Sequence, residues 1–160
     1  MAANGLVYTA QFTGVTVTNA IQDIWEIQAA AGVPILIHSW RVTFTPTITS
    51  GVAQDVRLSL QICRRSTAGT GGTAVTPVAV NSRNTVAATG TYTRTVVTTQ
   101  GTIGNILDGE NVSVIVPFER IYTPDQRLVI PGGAKTSLFL TSTNAGLPLT
   151  ASSEVYFEEI

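Results

Sequence analysis

Charge is what this sequence has least of. Charged residues make up 12% of the chain, against about 25% in an ordinary soluble domain. Nine bases nearly balance ten acids, giving a formal net charge of −1 and a pI near 5.7. No basic stripe is available, which argues against a general nucleic-acid binder. Lysine is almost missing: Lys135 stands alone beside eight arginines, and arginine suits planar, hydrogen-bonded or interfacial contacts better than a solvated surface. Cysteine is limited to Cys63, so one chain forms neither an internal disulfide nor a thiolate metal cluster. Histidine is limited to His38, and no serine sits in a Gly-x-Ser-x-Gly elbow, which leaves a nucleophilic triad without its parts. No apolar run approaches the ~20 residues of a membrane helix. Met1 to Tyr8 has neither a basic nor an apolar signal-peptide region, so synthesis in the cytoplasm is expected.

Threonine is abundant, with 25 residues among 160. It is interleaved with Val, Ile, Leu and Phe in short alternating stretches. Branched side chains pack well on a pleated surface and poorly in a helix. Period-two order is plain from Ile35 to Thr45, where Leu36, His38, Trp40, Val42 and Phe44 share a face. It recurs from Asp55 to Cys63, with Val56, Leu58, Leu60 and Ile62 on one side. Asp23 to Gln28 reads as a strand with Trp25 and Ile27 on one side. Glu26–Ala31 is the only stretch suggesting a helical turn, stopped by Gly32-Val33-Pro34. Further strands are expected at Tyr92–Thr99, Asn111–Val116, Gln126–Ile130, Thr136–Thr141 and Thr150–Phe157. Turn signals separate them at Asp108-Gly109, Pro124-Asp125, Pro131-Gly132-Gly133 and Asn144-Ala145-Gly146. A long glycine-containing loop spans Arg64 to about Thr89.

This pattern predicts an all-β, two-layer antiparallel β-sandwich, a jelly roll of about eight strands. An immunoglobulin-like sandwich is the alternative, weakened by the missing cysteine pair. Residues 1–20 read as an N-terminal arm or weak first strand, and residues 21–160 as a single domain. The inward-phased residues Val112, Val114, Leu138, Leu140, Val155 and Phe157 complete the expected core.

Chemical motifs are sparse. His38 falls in phase with core residues. Gly69-x-Gly71-x-x-Ala74 matches a dinucleotide fingerprint only formally, because Val75-Thr76-Pro77 follows where a helix is needed. Asp108, Glu110 and Asn111 offer oxygens but make no EF-hand, and Asn111-Val112-Ser113 has meaning as a glycosylation acceptor only in a secreted chain. Glu154, Glu158 and Glu159 gather at the C-terminus, and paired carboxylates hydrolyse glycosides when one acid and one base flank the bond. Glu154 and Glu158 are phased outward beside Tyr156, however, with Val155 and Phe157 inward, as edge-strand charges would be. Arg64-Arg65 suits either an anion grip or an ion pair at a loop base. No catalytic residue, metal site or cofactor is expected.

Several stretches together are similar to capsid decoration, or cement, proteins of tailed phages and prophages. They are Ile21–Ile27, Pro34–His38, Val56–Ile62 running into Arg64-Arg65, Gly69–Pro77, Phe118–Pro124 and Glu154–Ile160. The resemblance implies a jelly roll with no active site, made in the host cytoplasm and carried on the virion. Its implied role is a non-enzymatic structural protein that binds the outer capsid surface and stabilises the shell. The implied partners are the major capsid protein and further copies of the chain, with a trimer favoured over a dimer, and neither nucleic acid nor membrane. Interface candidates are Leu6, Tyr8, Phe12, Arg64, Arg65, Phe118, Arg120 and Tyr122. A receptor- or glycan-binding head module of a tail fibre or spike is the alternative.

Overall fold

The computed structural model describes residues 6–17, 21–46, 57–96, 99–141 and 149–160. Twelve strands occupy them: β1 (Leu6–Val17), β2 (Gln22–Gln28), β3 (Ile35–Pro46), β4 (Arg57–Arg65), β5 (Thr73–Ala74), β6 (Val78–Ala79), β7 (Thr91–Val96), β8 (Ile103–Ser113), β9 (Phe118–Ile121), β10 (Leu128–Ile130), β11 (Lys135–Leu140) and β12 (Leu149–Glu159). Among the described residues there is no α-helix, and the one helical element is a 3-10 turn at Pro124–Gln126. No helix there is long and apolar enough to cross a membrane.

The strands form two antiparallel sheets. The first runs β10-β3-β12-β1-β6, with β9 also paired to β3; the second runs β5-β7-β2-β11-β4-β8. The pairing is nested: β1 with β12, β2 with β11, β3 with β9 and β10, and β4 with β8. A chain paired outermost-to-outermost in this way is one long hairpin rolled into a sandwich, which is the jelly roll. The frame is β1 to β4, β8, β9 with β10, β11 and β12. Of the eight strands expected from sequence, Tyr92–Thr99 instead falls on β7, which with β5 and β6 belongs to an insert between β4 and β8.

The core lies between the sheets, because period-two strands turn their apolar side chains to a common interior. Phe12 stacks on Trp25 with ring centroids 5.9 Å apart, and Phe157 stacks between Tyr8 at 5.5 Å and Tyr92 at 5.0 Å. Trp25 donates its indole N–H across the interior to Ser153 Oγ at 3.2 Å, so the one polar atom of that ring is satisfied. Trp40, Val42, Phe44, Leu58, Leu60, Ile62, Val112, Val114, Leu138, Leu140, Val155 and Phe157 are buried as their phase predicts. Val56 and the turn at 144–146 lie outside the described residues.

Four expectations are corrected. The alternation of β3 is not continuous: Phe157 faces Ile37 while Tyr156 faces Ser39, leaving His38 as an extra residue in a bulge. A bulge shifts the pleat by one residue. Ile35 and Ile37 therefore point inward, Leu36 is only half-buried, and His38 turns out to Glu158 Oε2 at 3.2 Å. Of the two readings of residues 1–20, arm or weak first strand, the arm fails for residues 6–17, which form a full strand beside β12, with Tyr8, Ala10, Phe12 and Val15 in the core. Their phase also jumps, at Gly14, whose φ of 70° is cheap only for glycine. Glu26 to Gln28 continue β2 instead of starting a helical turn, since ladder pairing with β11 and β7 outweighs a single isolated turn. Asp108-Gly109 likewise lies inside β8, held opposite Ile62 and Gln61 of β4.

Candidate functional site

The insert between β4 and β8 closes one side of the sandwich. It adds β7 and β5 to the β2 edge of the second sheet and β6 to the β1 edge of the first. Glu159, inward-phased at the end of β12, fastens it. Its carboxylate accepts from Thr89 N at 2.9 Å, Gly90 N at 3.0 Å, Thr89 Oγ1 at 3.0 Å and Tyr92 OH at 3.0 Å. Burial and this neighbouring carboxylate push the Tyr92 phenol upward, so it stays a donor. Tyr8 OH adds a bond to Val86 O at 3.1 Å.

Both ends of the insert also cross the outer face of the second sheet, where they cover a polar cluster. Arg65 is completely buried there and paired with Asp23, which is equally buried. Arg65 also donates to Ser137 Oγ and to Gly101 O, each at 2.7 Å, and its guanidinium lies 4.9 Å over the Phe139 ring. Gly69 N donates to Glu26 Oε2 at 3.0 Å. A Cβ at Gly101 would collide with the Thr67 carbonyl oxygen, so the two crossing segments approach closely only because glycine stands there. Asp23 Oδ2 has no hydrogen-bond partner. Desolvation pushes the Asp23 carboxyl up from 3.8 to about 6, against the opposing pull of Arg65. Burial likewise raises the Cys63 thiol, which contacts Ser137 Oγ at 3.6 Å; an upward-shifted thiol holds little thiolate and makes a poor nucleophile.

The opposite side is open. There β8 ends one sheet, and β9 and β10 end the other. A polar seam joins them. Tyr122 OH donates to Asp108 Oδ2 at 2.5 Å and accepts from Trp40 Nε1 at 3.0 Å. Arg120 reaches Glu110 Oε2 at 3.0 Å and Asp108 Oδ2 at 3.4 Å, and sits 5.8 Å over the Phe118 ring. Burial, then the bond given to Asp108, holds the Tyr122 phenol well above its ordinary value. Beside the seam lies a groove of about 240 Å³ lined by Leu107, Asp108, Arg120, Ile121, Tyr122 and Leu128. Ile121 of its lining is exposed, and further exposed apolar side chains lie on β8 (Ile103, Ile106), in the turn after it (Ile115, Val116) and on β10 (Val129).

The interface candidates therefore separate. Phe118, Arg120 and Tyr122 come together at the open side, with Arg120 partly exposed and the other two half-buried. Arg64 is exposed and Leu6 half-buried. Tyr8, Phe12 and Arg65 are buried in the molecule and present no side-chain surface to a partner. Glu154 and Glu158 do point outward, but from a strand at the centre of its sheet, not at an edge. Glu154 bonds Thr9 Oγ1 at 3.1 Å and pairs with Arg41 at 3.3 Å, at a hollow of about 130 Å³. Among the described residues, no three His, Cys, Asp or Glu converge as metal ligands.

Sequence reasoning missed the exposed isoleucines of β8, Ile103 and Ile106, because they fall between the strands expected at Tyr92–Thr99 and Asn111–Val116. It also missed Glu159 as a fastener, although Glu159 continues the inward phase of Ala151, Ser153, Val155 and Phe157. No family model matches the chain, and neither a curated protein sequence nor a solved structure matches it significantly.

Proposed function

We propose that the chain is a non-enzymatic structural subunit that binds the outer surface of a phage head and stabilises the shell. The observation that carries this reading is the tip between β8 and β9. Ile115 and Val116 are 51% and 60% exposed there, followed by Pro117, on a fold that buries most of its other large apolar side chains between the sheets. Apolar residues held out to solvent on a turn are suited to burial against another protein. The low charge of the chain lowers the desolvation cost of such burial. A subunit that binds only the assembled shell stabilises that state by its binding free energy. Repetition over many symmetric sites multiplies the effect.

The test is addition of the purified chain to heads that lack it. Co-sedimentation and a higher temperature of head disruption are expected, and the paired substitution Ile115→Asp with Val116→Asp should weaken attachment at least tenfold. Heads that neither bind the chain nor gain heat resistance overturn the reading.

One observation favours a second reading, glycan binding by a receptor-recognition module. The hollow on the outer face of the first sheet gathers Gln11, Thr13, Arg41, Thr43, Ser152 and Glu154, with the exposed Tyr156 two residues along the strand from Glu154. Hydroxyl, amide and paired charged groups beside an aromatic ring suit a sugar. Saccharide binding by the isolated chain, abolished by Arg41→Ala, would select it.

A further inference from the structure

We infer that copies of this chain associate head to tail, the insert side of one against the open side of the next. The two sides are opposite edges of the same sandwich, since β5, β6 and β7 lie at one end of each strand order and β8, β9 and β10 at the other. Each carries exposed apolar side chains. On the insert side Val78, Val80 and Val86 are 63%, 53% and 55% exposed. On the open side Ile121 is 71% exposed and forms one wall of the groove lined by Leu107 and Leu128.

Charge decides which side meets which. No acid occurs between Asp55 and Asp108, so the insert carries only Arg83 and Arg94. Arg94 is taken up by the Thr13 carbonyl, and Arg83 is exposed. On the open side Asp108 and Glu110 are occupied by Arg120, while Glu119 and Asp125 are exposed and have no ion pair among the described residues. The half-buried Arg127 beside Asp125 offsets only part of this, so the side keeps an excess of acid. Two open sides placed together would oppose acid to acid, and two insert sides arginine to arginine. An insert side against an open side pairs Arg83 with Glu119 or Asp125 and covers both apolar patches. Such a contact is heterologous. It leaves a free surface at each end of a pair, so growth does not stop at two copies but continues until a ring closes or a filament forms.

The inference stands apart from shell binding, because it is read on the isolated chain. Sedimentation of the full chain should show a species of three copies or more, built from 16.9 kDa subunits. Val80→Asp blocks the insert side and Ile121→Asp the open side, and each variant alone should sediment as a monomer with an unchanged circular dichroism spectrum. Mixed, the two retain one intact side each and should form a 1:1 heterodimer and nothing larger. If an aspartate unfolds the chain, Arg83→Glu should dissociate the assembly and Glu119→Arg in the same chain should restore it. A wild-type monomer or dimer, a single variant with wild-type mass, or a mixture that stays monomeric overturns the inference. A chain that assembles in this way but ignores phage heads overturns only the shell reading.

Discussion

Asp23 and Arg65 show how a residue-scale reading goes astray and what it costs. Arg64 and Arg65 looked equivalent in sequence, yet one is exposed and the other fully buried against Asp23. Neighbours in a strand point to opposite faces, and only the covering insert makes the second face an interior. Nothing local in the sequence announced that cover. Breaking a buried pair strands a charge, so Arg65→Met should destabilise the fold by about 3–5 kcal/mol in a denaturation series. Pairing it with Asp23→Leu should recover most of the loss, because replacing both members with apolar groups is often neutral. Leu60→Ala, in the well-packed interior that sequence phase did reveal, should cost about 2–5 kcal/mol by the same measurement. The raised carboxyl of Asp23 also has a pH signature. Between its ordinary 3.8 and about 6, the folded chain keeps a proton that the unfolded chain has released. Stability from this group is therefore full below the window and is lost as pH rises through it. The melting temperature of Asp23→Asn should lack that downward step between pH 4 and pH 6.5; an identical step in both proteins would assign it elsewhere.

Elements were legible where one face is buried and the other wet, as in β4 and β12. They were illegible where a bulge or a covering segment intervenes. In β3 the bulge at His38 reverses the phase, so extrapolation from Trp40 back to Leu36 turned the wrong side inward. In β2 the segment from Gln22 to Ile27 is buried on both faces, and alternation carries no signal there. Residues 6–17 were threonine-rich and interrupted by Gly14, which made a central strand look like an arm. Its placement has a direct consequence: deleting residues 1–18 removes Tyr8, Phe12 and Val15 from the core, and no cooperative unfolding transition should survive. The insert, by contrast, hangs on few groups. Glu159→Gln replaces a carboxylate that accepts from three donor residues with an amide. Backbone amides of 86–92 should then exchange with solvent at least tenfold faster, while those of β4 and β11 remain protected.

At the scale of the molecule, the two-layer antiparallel plan followed from composition and alternation, while the full set of twelve described strands and the asymmetry between sides did not. That asymmetry depends on the insert folding back to cap β1 and β2, a tertiary choice that leaves β8, β9 and β10 uncapped. The nested pairing of the jelly roll bears also on how such a chain comes off the ribosome. In the first sheet β12 lies between β1 and β3, although about a hundred residues separate it from the end of β3. At ~5–20 residues per second, synthesis of that stretch takes roughly 5–20 seconds. Throughout this interval β1 and β3 have no strand to join them, and their apolar faces have no closed interior to enter. The sheet is completed from the middle by β12, so a nascent chain is at its most adhesive until Leu149–Glu159 has been made, and chaperone demand should rise with any pause before Leu149.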